Sequence, residues 1–152
     1  VEPKLARFVR EQPENSLANY FYAMALMKSS DSPANQQLLQ QATALLTKAV
    51  TIDPKYGDAY LQLGILSLAQ HDVQGAISFY RKAIAADPQL GEAHYRLGMA
   101  YDRIGESAEA KKEFELHEEI EKRQADLIER QRREVKQFLV VLEGRPANLS
   151  AP

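Results

Sequence analysis

The chain has 152 residues, of which 45% are hydrophobic and 26% are charged, and its net charge is −2 at pH 7. These values are ordinary for one soluble globular domain, and the balanced charge gives no indication of nucleic-acid binding. Cysteine is absent, which excludes disulfides and cysteine metal sites, and no apolar run approaches the roughly 18 residues that membrane insertion requires.

The first predicted element is a helix in residues 1–12. Leu5, Phe8 and Val9 share one face of it, and Pro13 follows where a helix would end. It is either the second half of a repeat or a capping helix of its own. Because the chain begins at Val1 rather than at methionine, we also expect a removed upstream segment. The compartment stays open: cytoplasmic, or periplasmic or secreted if that segment was a signal peptide.

A first helix pair is predicted over residues 17–56. Its first helix spans Ser16–Lys28, with Ser16 as the N-cap, and a loop follows at residues 29–33. Its second helix spans Asn35–Ile52, with a buried side made of Leu38, Leu39, Ala42, Leu45, Leu46, Ala49 and Val50.

A second and more regular pair is predicted over residues 57–90. Asp72 is the expected N-cap of its second helix. Small residues let the two helices approach closely, and bulky ones fill the space between them. The small residues are Gly64, Ala76 and Ala83, and the bulky ones are Tyr60, Leu63 and Tyr80.

The third pair, residues 91–123, does not end where the others do. No glycine or proline occurs between Gly105 and Gly144. The second helix of this pair is therefore predicted to continue from Ser107 to Leu142, a length of about 50 Å. Residues 124–143 form its extension, and a disordered segment is expected at residues 144–152.

These pairs repeat with a period of 34 residues, from Leu63–Gly64 to Leu97–Gly98 and from Ala76 to Ala110. Tyr80 and Phe114 obey the same offset. The period and these residue types resemble the tetratricopeptide repeat family. The resemblance implies an all-α fold of antiparallel helix-turn-helix repeats, stacked as a right-handed superhelix (an α-solenoid), here with a long C-terminal helix.

The resemblance also implies a concave groove, lined by the first helix of each pair, that binds a peptide or helix of a partner protein. Its residues would be Phe21, Ala25, Lys28, Leu61, Gln62, Ile65, Leu68, Glu92, Tyr95, Arg96, Met99 and Asp102. Family members that clamp a chaperone's C-terminal carboxylate use lysines and asparagines there, and only Arg96 matches that set. A mostly apolar groove instead suits an amphipathic helix or an apolar peptide. Alternatively, the same residues contact a preceding repeat or the tail of a neighbour.

The end of the long helix is the second candidate surface. Its charged part is stabilised by acid-before-base pairs four residues apart, such as Glu118 with Lys122. Its apolar end is expected to be covered, because so apolar a cluster is unfavourable in water. The cluster could be covered by the same segment of a second chain, by another domain or by the groove of a neighbouring molecule. A homo-oligomer is the favoured outcome. The self-association residues are Val135, Phe138, Leu139, Val141 and Leu142.

No catalytic constellation is apparent, so we expect a protein that is not an enzyme and holds no cofactor. The three histidines lie apart, and there is no glycine-rich phosphate loop. His117 and Glu121 could share a helix face and hold a metal weakly, but a packing or solvated histidine is the simpler interpretation. His94 takes the place of Tyr60 in the repeat, which favours packing.

Overall fold

The structure, a computed structural model, describes residues 2–29 and 36–144. Within them the chain forms seven helices: α1 (Glu2–Glu11), α2 (Ser16–Ser29), α3 (Gln36–Ile52), α4 (Gly57–Ala69), α5 (Val73–Ala86), α6 (Gly91–Arg103) and α7 (Ser107–Leu142). The predicted loop at residues 29–33 and the predicted disordered segment at 144–152 lie, apart from Ser29 and Gly144, outside the described residues.

The helices pair in sequence order as the repeat period predicts. α2 packs on α3, α4 on α5 and α6 on α7, while α3 contacts α4, α5 contacts α6, and α1 packs on α2. Short connections make the helices of each pair antiparallel. Among the described residues, the main contacts of each pair are therefore with its neighbours in sequence, which is the arrangement of an α-solenoid.

Two apolar clusters form the core, and each spans the boundary between two pairs. The first joins Ala23, Leu26 and Leu46 to Leu63 and Leu66 of α4. The second joins Leu61 and Tyr80 to Leu97 and Tyr101 of α6. Because α4 contributes to both clusters, the regular middle pair holds the outer two together.

Glycine sets the close approach of the paired helices. A Cβ atom built on Gly64 would lie 2.4 Å from the Tyr80 ring, and one built on Gly98 would lie 2.7 Å from the Phe114 ring. Atoms cannot approach so closely, so each large ring occupies the space that the absent side chain leaves. The predicted fit of Gly64 to its partner helix is confirmed.

The helix starts match the predictions in one case and differ in another. Asp72 caps α5, since its Oδ1 accepts a 2.8 Å hydrogen bond from the Gly75 amide. At the start of α2 the predicted cap, Ser16, is wrong. Asn15 takes that role, and its Oδ1 accepts a 2.9 Å hydrogen bond from the Ala18 amide. Both residue types are good caps, so the local sequence did not separate them.

α7 continues past the end of its repeat, as predicted. It has 36 residues, and Ile120 is the last of them that is buried. Beyond it, residues 121–139 are all exposed. Arg123 and Gln124 still reach Gln89, at 3.4 and 3.3 Å. Among the described residues, no helix is long and apolar enough to cross a membrane.

Candidate functional site

The predicted groove residues lie on α2, α4 and α6, on what we call the inner face. Three of its large apolar side chains are exposed: Phe21 at 51%, Tyr95 at 44% and Met99 at 51%. The charged members Lys28, Glu92 and Asp102 are exposed as well, and the half-buried members are Ala25, Gln62, Ile65, Leu68 and Arg96. Eleven of the twelve predicted residues are thus at least partly accessible.

Leu61 is the exception, and its predicted place on the groove surface is wrong. Only 2% of it is exposed, because it lies in the core cluster that joins α4 to α5 and α6. Its neighbours there include Ala93 and Leu97, whose small and branched side chains let α6 pack closely over it. Leu61 supports the inner face from beneath and does not form part of its surface.

At the α2 end, the inner face opens into an apolar cavity of about 780 Å³. It is lined by Leu5, Phe21, Met24, Ala25, Met27 and Lys28. Leu5, Met24 and Met27 were not predicted to belong to this site. Two signals were available: Leu5 lies on the apolar face of α1, and Met24 occupies the position that Gly64 has in the next repeat.

The opposite margin of the inner face is acidic. Asp58 and Glu92 occupy equivalent positions, one repeat apart, in the first turns of α4 and α6. Both carboxylates act on Tyr20 of α2: burial raises its pKa first, and the negative charges of Asp58 and Glu92 add to that rise. We call this pair of exposed first-turn acids the acidic margin. The sequence analysis included Glu92 but missed Asp58, although the 34-residue offset relates the two.

Tyr56 extends the acidic margin towards α3. Its ring lies 4.9 Å from that of Tyr20, between ring centroids. Burial, followed by Tyr20, Asp58 and Asp53, raises the pKa of Tyr56 to about 12. The margin therefore combines two neutral phenols with carboxylates, a combination that favours a cationic partner.

The α6 part of the inner face is held by packing on α7 and by an ion pair. The Tyr95 ring lies 5.8 Å from Phe114 and 5.3 Å from His117. Arg96 pairs with Glu92 at 2.8 Å. Below them, burial raises the pKa of Tyr80, and the positive charge of Arg96 opposes that rise. These contacts fix the exposed ring of Tyr95 in place.

The histidines in this region hold helices together. His94 is buried, with Nδ1 2.7 Å from Glu113 Oε2 and Nε2 3.2 Å from the carbonyl oxygen of Pro88. His117 Nδ1 lies 3.0 Å from the carbonyl oxygen of Gly91. Both therefore fasten α6 to its neighbours. The described residues contain no group of three or more side chains that could hold a metal.

The predicted self-association residues lie at the far end of α7. Each of Val135, Phe138, Leu139, Val141 and Leu142 is more than half exposed. Leu127 and Ile128, about two turns before Val135, are also more than half exposed. The helix thus ends in an apolar segment that contacts no other described part of the chain.

Comparisons with known protein families and with solved structures identify the type of repeat. Family models described as tetratricopeptide repeat match residues 30–91 and 67–127. A comparison with curated proteins gave no significant match.

Solved structures with the same fold include those of MamA. One crystal structure of MamA is 28% identical, with a TM-score of 0.70, and the match covers 80% of this chain and 67% of that one. A second is also 28% identical, with a TM-score of 0.66 and coverage of 80% and 63%. MamA 41-end from Desulfovibrio magneticus RS-1 is 22% identical, with a TM-score of 0.65 and coverage of 79% and 64%, and supports the fold alone. The chain spans about two thirds of the length of these structures.

The family models together cover residues 30–127, from the second helix of the first pair into α7, and the solved structures share the stacking of the helices. Repeats of this type bury a continuous core between neighbours and leave one face for binding, as α2, α4 and α6 do here. The chain belongs to the tetratricopeptide repeat family and is a helical-repeat scaffold for protein–protein interaction.

Proposed function

We propose that the chain is a non-enzymatic scaffold that binds an amphipathic helix or apolar peptide of a partner protein on its inner face. The observation that carries this proposal is the row of exposed Phe21, Tyr95 and Met99 on successive first helices. Aromatic and methionine side chains are enriched at the centres of protein interfaces, because they bury a large area at low entropic cost.

The acidic margin adds a preference to this apolar surface. Glu92 is already paired with Arg96, so the exposed carboxylate of Asp58 is the group that favours a segment carrying a basic residue beside its apolar ones. Charge of this kind changes specificity and the rate of association more than the final affinity. The preferred ligand class is therefore a basic amphipathic segment.

Peptide selection tests this proposal. A displayed library of short peptides is selected on the whole chain, and the Kd of each selected peptide is measured for three variants. Phe21→Glu and Met99→Glu change the inner face, while Ile104→Glu makes the same chemical change at an exposed residue in the α6–α7 turn. We expect the first two to weaken binding about tenfold or more, and the third to leave it unchanged.

Two results would contradict the proposal. One is equal binding by all three variants, which would place the ligand elsewhere. The other is the absence of any selected peptide with a Kd below about 100 µM, a free energy of roughly −5.5 kcal/mol.

Self-assembly through the long C-terminal helix is a second candidate function. It is favoured by the exposed apolar end of α7, since clusters of this kind mark interaction sites. Light scattering on the whole chain and on a Phe138→Glu/Leu142→Glu variant tests it. We expect the unchanged chain to exceed the monomer mass of 17.1 kDa and the variant to match it. Equal masses for the two would exclude this role.

A further inference from the structure

We propose that the ligand of the inner face is the end of α7, residues 130–142, from a second copy of this chain, so that copies join head to tail. We call residues 130–142 the tail segment. The inference rests on the proposed function, because it uses the same inner face, and it names the partner: a basic amphipathic helix that the chain itself carries.

The tail segment cannot reach the inner face of its own chain. α7 is one continuous helix to Leu142. Phe138 lies 18 residues beyond Ile120, the last buried residue, which is about 27 Å along the helix. No glycine or proline interrupts this stretch to allow a turn. The tail segment therefore points away from its own repeats and is available only to another molecule.

Charge favours this contact. Residues 1–120 contain sixteen aspartates and glutamates and twelve lysines and arginines, a net charge of −4. The tail segment contains four basic residues and one acidic residue, a net charge of +3. The four basic residues are Arg130, Arg132, Arg133 and Lys136, and the inner face presents the exposed carboxylates of the acidic margin in the first turns of α4 and α6. Opposite charges therefore meet when the two surfaces dock.

The order of residues in the tail segment also matches the inner face. Its basic part comes first and its apolar part last, while the inner face has its apolar cavity at α2 and its acids at α4 and α6. Arg132 precedes Phe138 by six residues, about 9 Å of helix. Neighbouring packed helices lie about 8–10 Å apart. A tail segment with Phe138 in the α2 cavity therefore carries Arg132 about one helix width away, onto the neighbouring part of the inner face.

Pairing of two tail segments with each other fits less well. In a parallel pair, Arg130, Arg132 and Arg133 of one chain would lie beside the same residues of the other, and like charges in contact are unfavourable. In an antiparallel pair of full overlap, the apolar end would lie against the charged stretch that starts at Glu121. The parallel register still places Val135, Phe138 and Leu142 against their counterparts, but it does so together with this charge repulsion.

A mixing experiment tests the inference with whole chains. The face variant is Phe21→Glu, which keeps its tail segment, and the tail variant is Phe138→Glu/Leu142→Glu, which keeps its inner face. All three substituted side chains are more than half exposed, so both variants should stay folded, which circular dichroism checks. Masses are then measured by sedimentation for the unchanged chain, for each variant and for their equimolar mixture.

We expect the unchanged chain to associate and each variant alone to be a monomer of 17.1 kDa. The mixture should form a 1:1 dimer and nothing larger, because it contains one functional face and one functional tail segment. Association of the face variant alone would instead indicate tail-to-tail pairing. A mixture that stays monomeric, or an unchanged chain that is monomeric at about 100 µM, would also overturn the inference.

A charge exchange gives a second test that does not use Phe21. Asp58→Arg should weaken association about fivefold or more, and Arg132→Glu/Arg133→Glu introduced into the same chain should restore it, because the exchanged charges then meet at every contact. A labelled peptide of residues 127–142, titrated into the tail variant, separates this inference from the proposed function. If library peptides bind the inner face but this peptide does not, the inference fails and the proposed function stands; if neither binds, both fail.

Discussion

At the scale of single residues, the fold depends on where side chains are missing. Gly64 and Gly98 leave the space that Tyr80 and Phe114 fill, so each helix pair closes around one large ring. A repeat without such a glycine must separate its helices or change the ring. Met24 in the first pair is such a case, and beside it the inner face opens into its cavity.

Replacement of Gly64 by alanine should lower the free energy of unfolding by about 1–3 kcal/mol. The added Cβ would lie 2.4 Å from a fully buried ring, and this clash exceeds the roughly 1 kcal/mol that alanine gains as a helix former. Chemical denaturation measures the change. Gly91→Ala is the control, because its nearest atom, at 3.0 Å, is the flexible end of Glu121. Equal losses in both variants would contradict the explanation.

Tyr56 should make the chain sensitive to alkali. Its pKa is raised to about 12, mainly by burial, so folding favours the neutral phenol. The resulting stability is fully present below pH 10, the ordinary value, and is lost as the pH rises through 12. Tyr56→Phe should therefore lose less stability than the unchanged chain between pH 10 and 12. Denaturation at several pH values measures this, and parallel curves for the two proteins would refute it.

Residue types alone predicted some of these details and not others. The fit of Gly64 follows from the repeat spacing, because the same offset places a large ring opposite the glycine. The burial of Leu61 does not, because Leu61 and Ile65 look alike in sequence and differ only in how closely α6 packs over them. Asn15 and Ser16 are both good caps, and which one acts depends on which side chain the backbone places within reach of the first free amides of α2.

At the scale of helices, the missing stop after the third pair is the most informative feature. Asp53-Pro54 and Asp87-Pro88 follow the second helices of the first two pairs, and no proline follows at the equivalent place in the third. The extent of α7 could be predicted from that absence alone. The surface that its end contacts could not be predicted in this way, because a contact also depends on a second surface. The inner face was predicted from the repeat pattern. The cavity beside it was not, because its shape depends on the position of α1.

Ile120 should mark the boundary between the folded repeats and the free part of α7. Ile120→Ala should cost about 2–4 kcal/mol of stability, since this side chain is buried. Leu127→Ala, about two turns later at an exposed site, should change stability by less than about 0.5 kcal/mol. Thermal unfolding at low micromolar concentration compares the two. A comparable loss in both variants would mean that the helix is supported beyond Ile120.

At the scale of the whole molecule, a contact between unlike surfaces does not close on itself. Each copy has one inner face and one tail segment, so a head-to-tail contact leaves one of each unoccupied after every addition. Such heterologous contacts produce rings if the rotation between copies closes and open filaments if it does not. The proposed contact therefore predicts a distribution of sizes that grows with concentration.

Ionic strength should control that distribution. The proposed contact joins a segment of charge +3 to a body of charge −4, and exposed charges are screened over about 10 Å at 0.1 M salt and about 3 Å at 1 M. Sedimentation at salt concentrations from about 0.05 M to about 1 M should show an average mass that falls as the salt concentration rises. A mass that is constant or rises with salt would indicate an apolar contact without the charge component.

The unbroken course of α7 has one more consequence, which concerns spacing. If the tail segment of one copy binds the next, the helix between Ile120 and Phe138 acts as a spacer of about 27 Å between neighbouring bodies. A helix has a fixed rise and a fixed rotation per residue, so its length sets both the separation and the relative turn of successive copies. An insertion of seven residues would lengthen the repeat distance of the assembly by about 10 Å with little rotation, while one of five would turn each copy by about 140°. The number of residues in a solvated stretch, whose side chains make no core contact, thus determines the shape of the assembly.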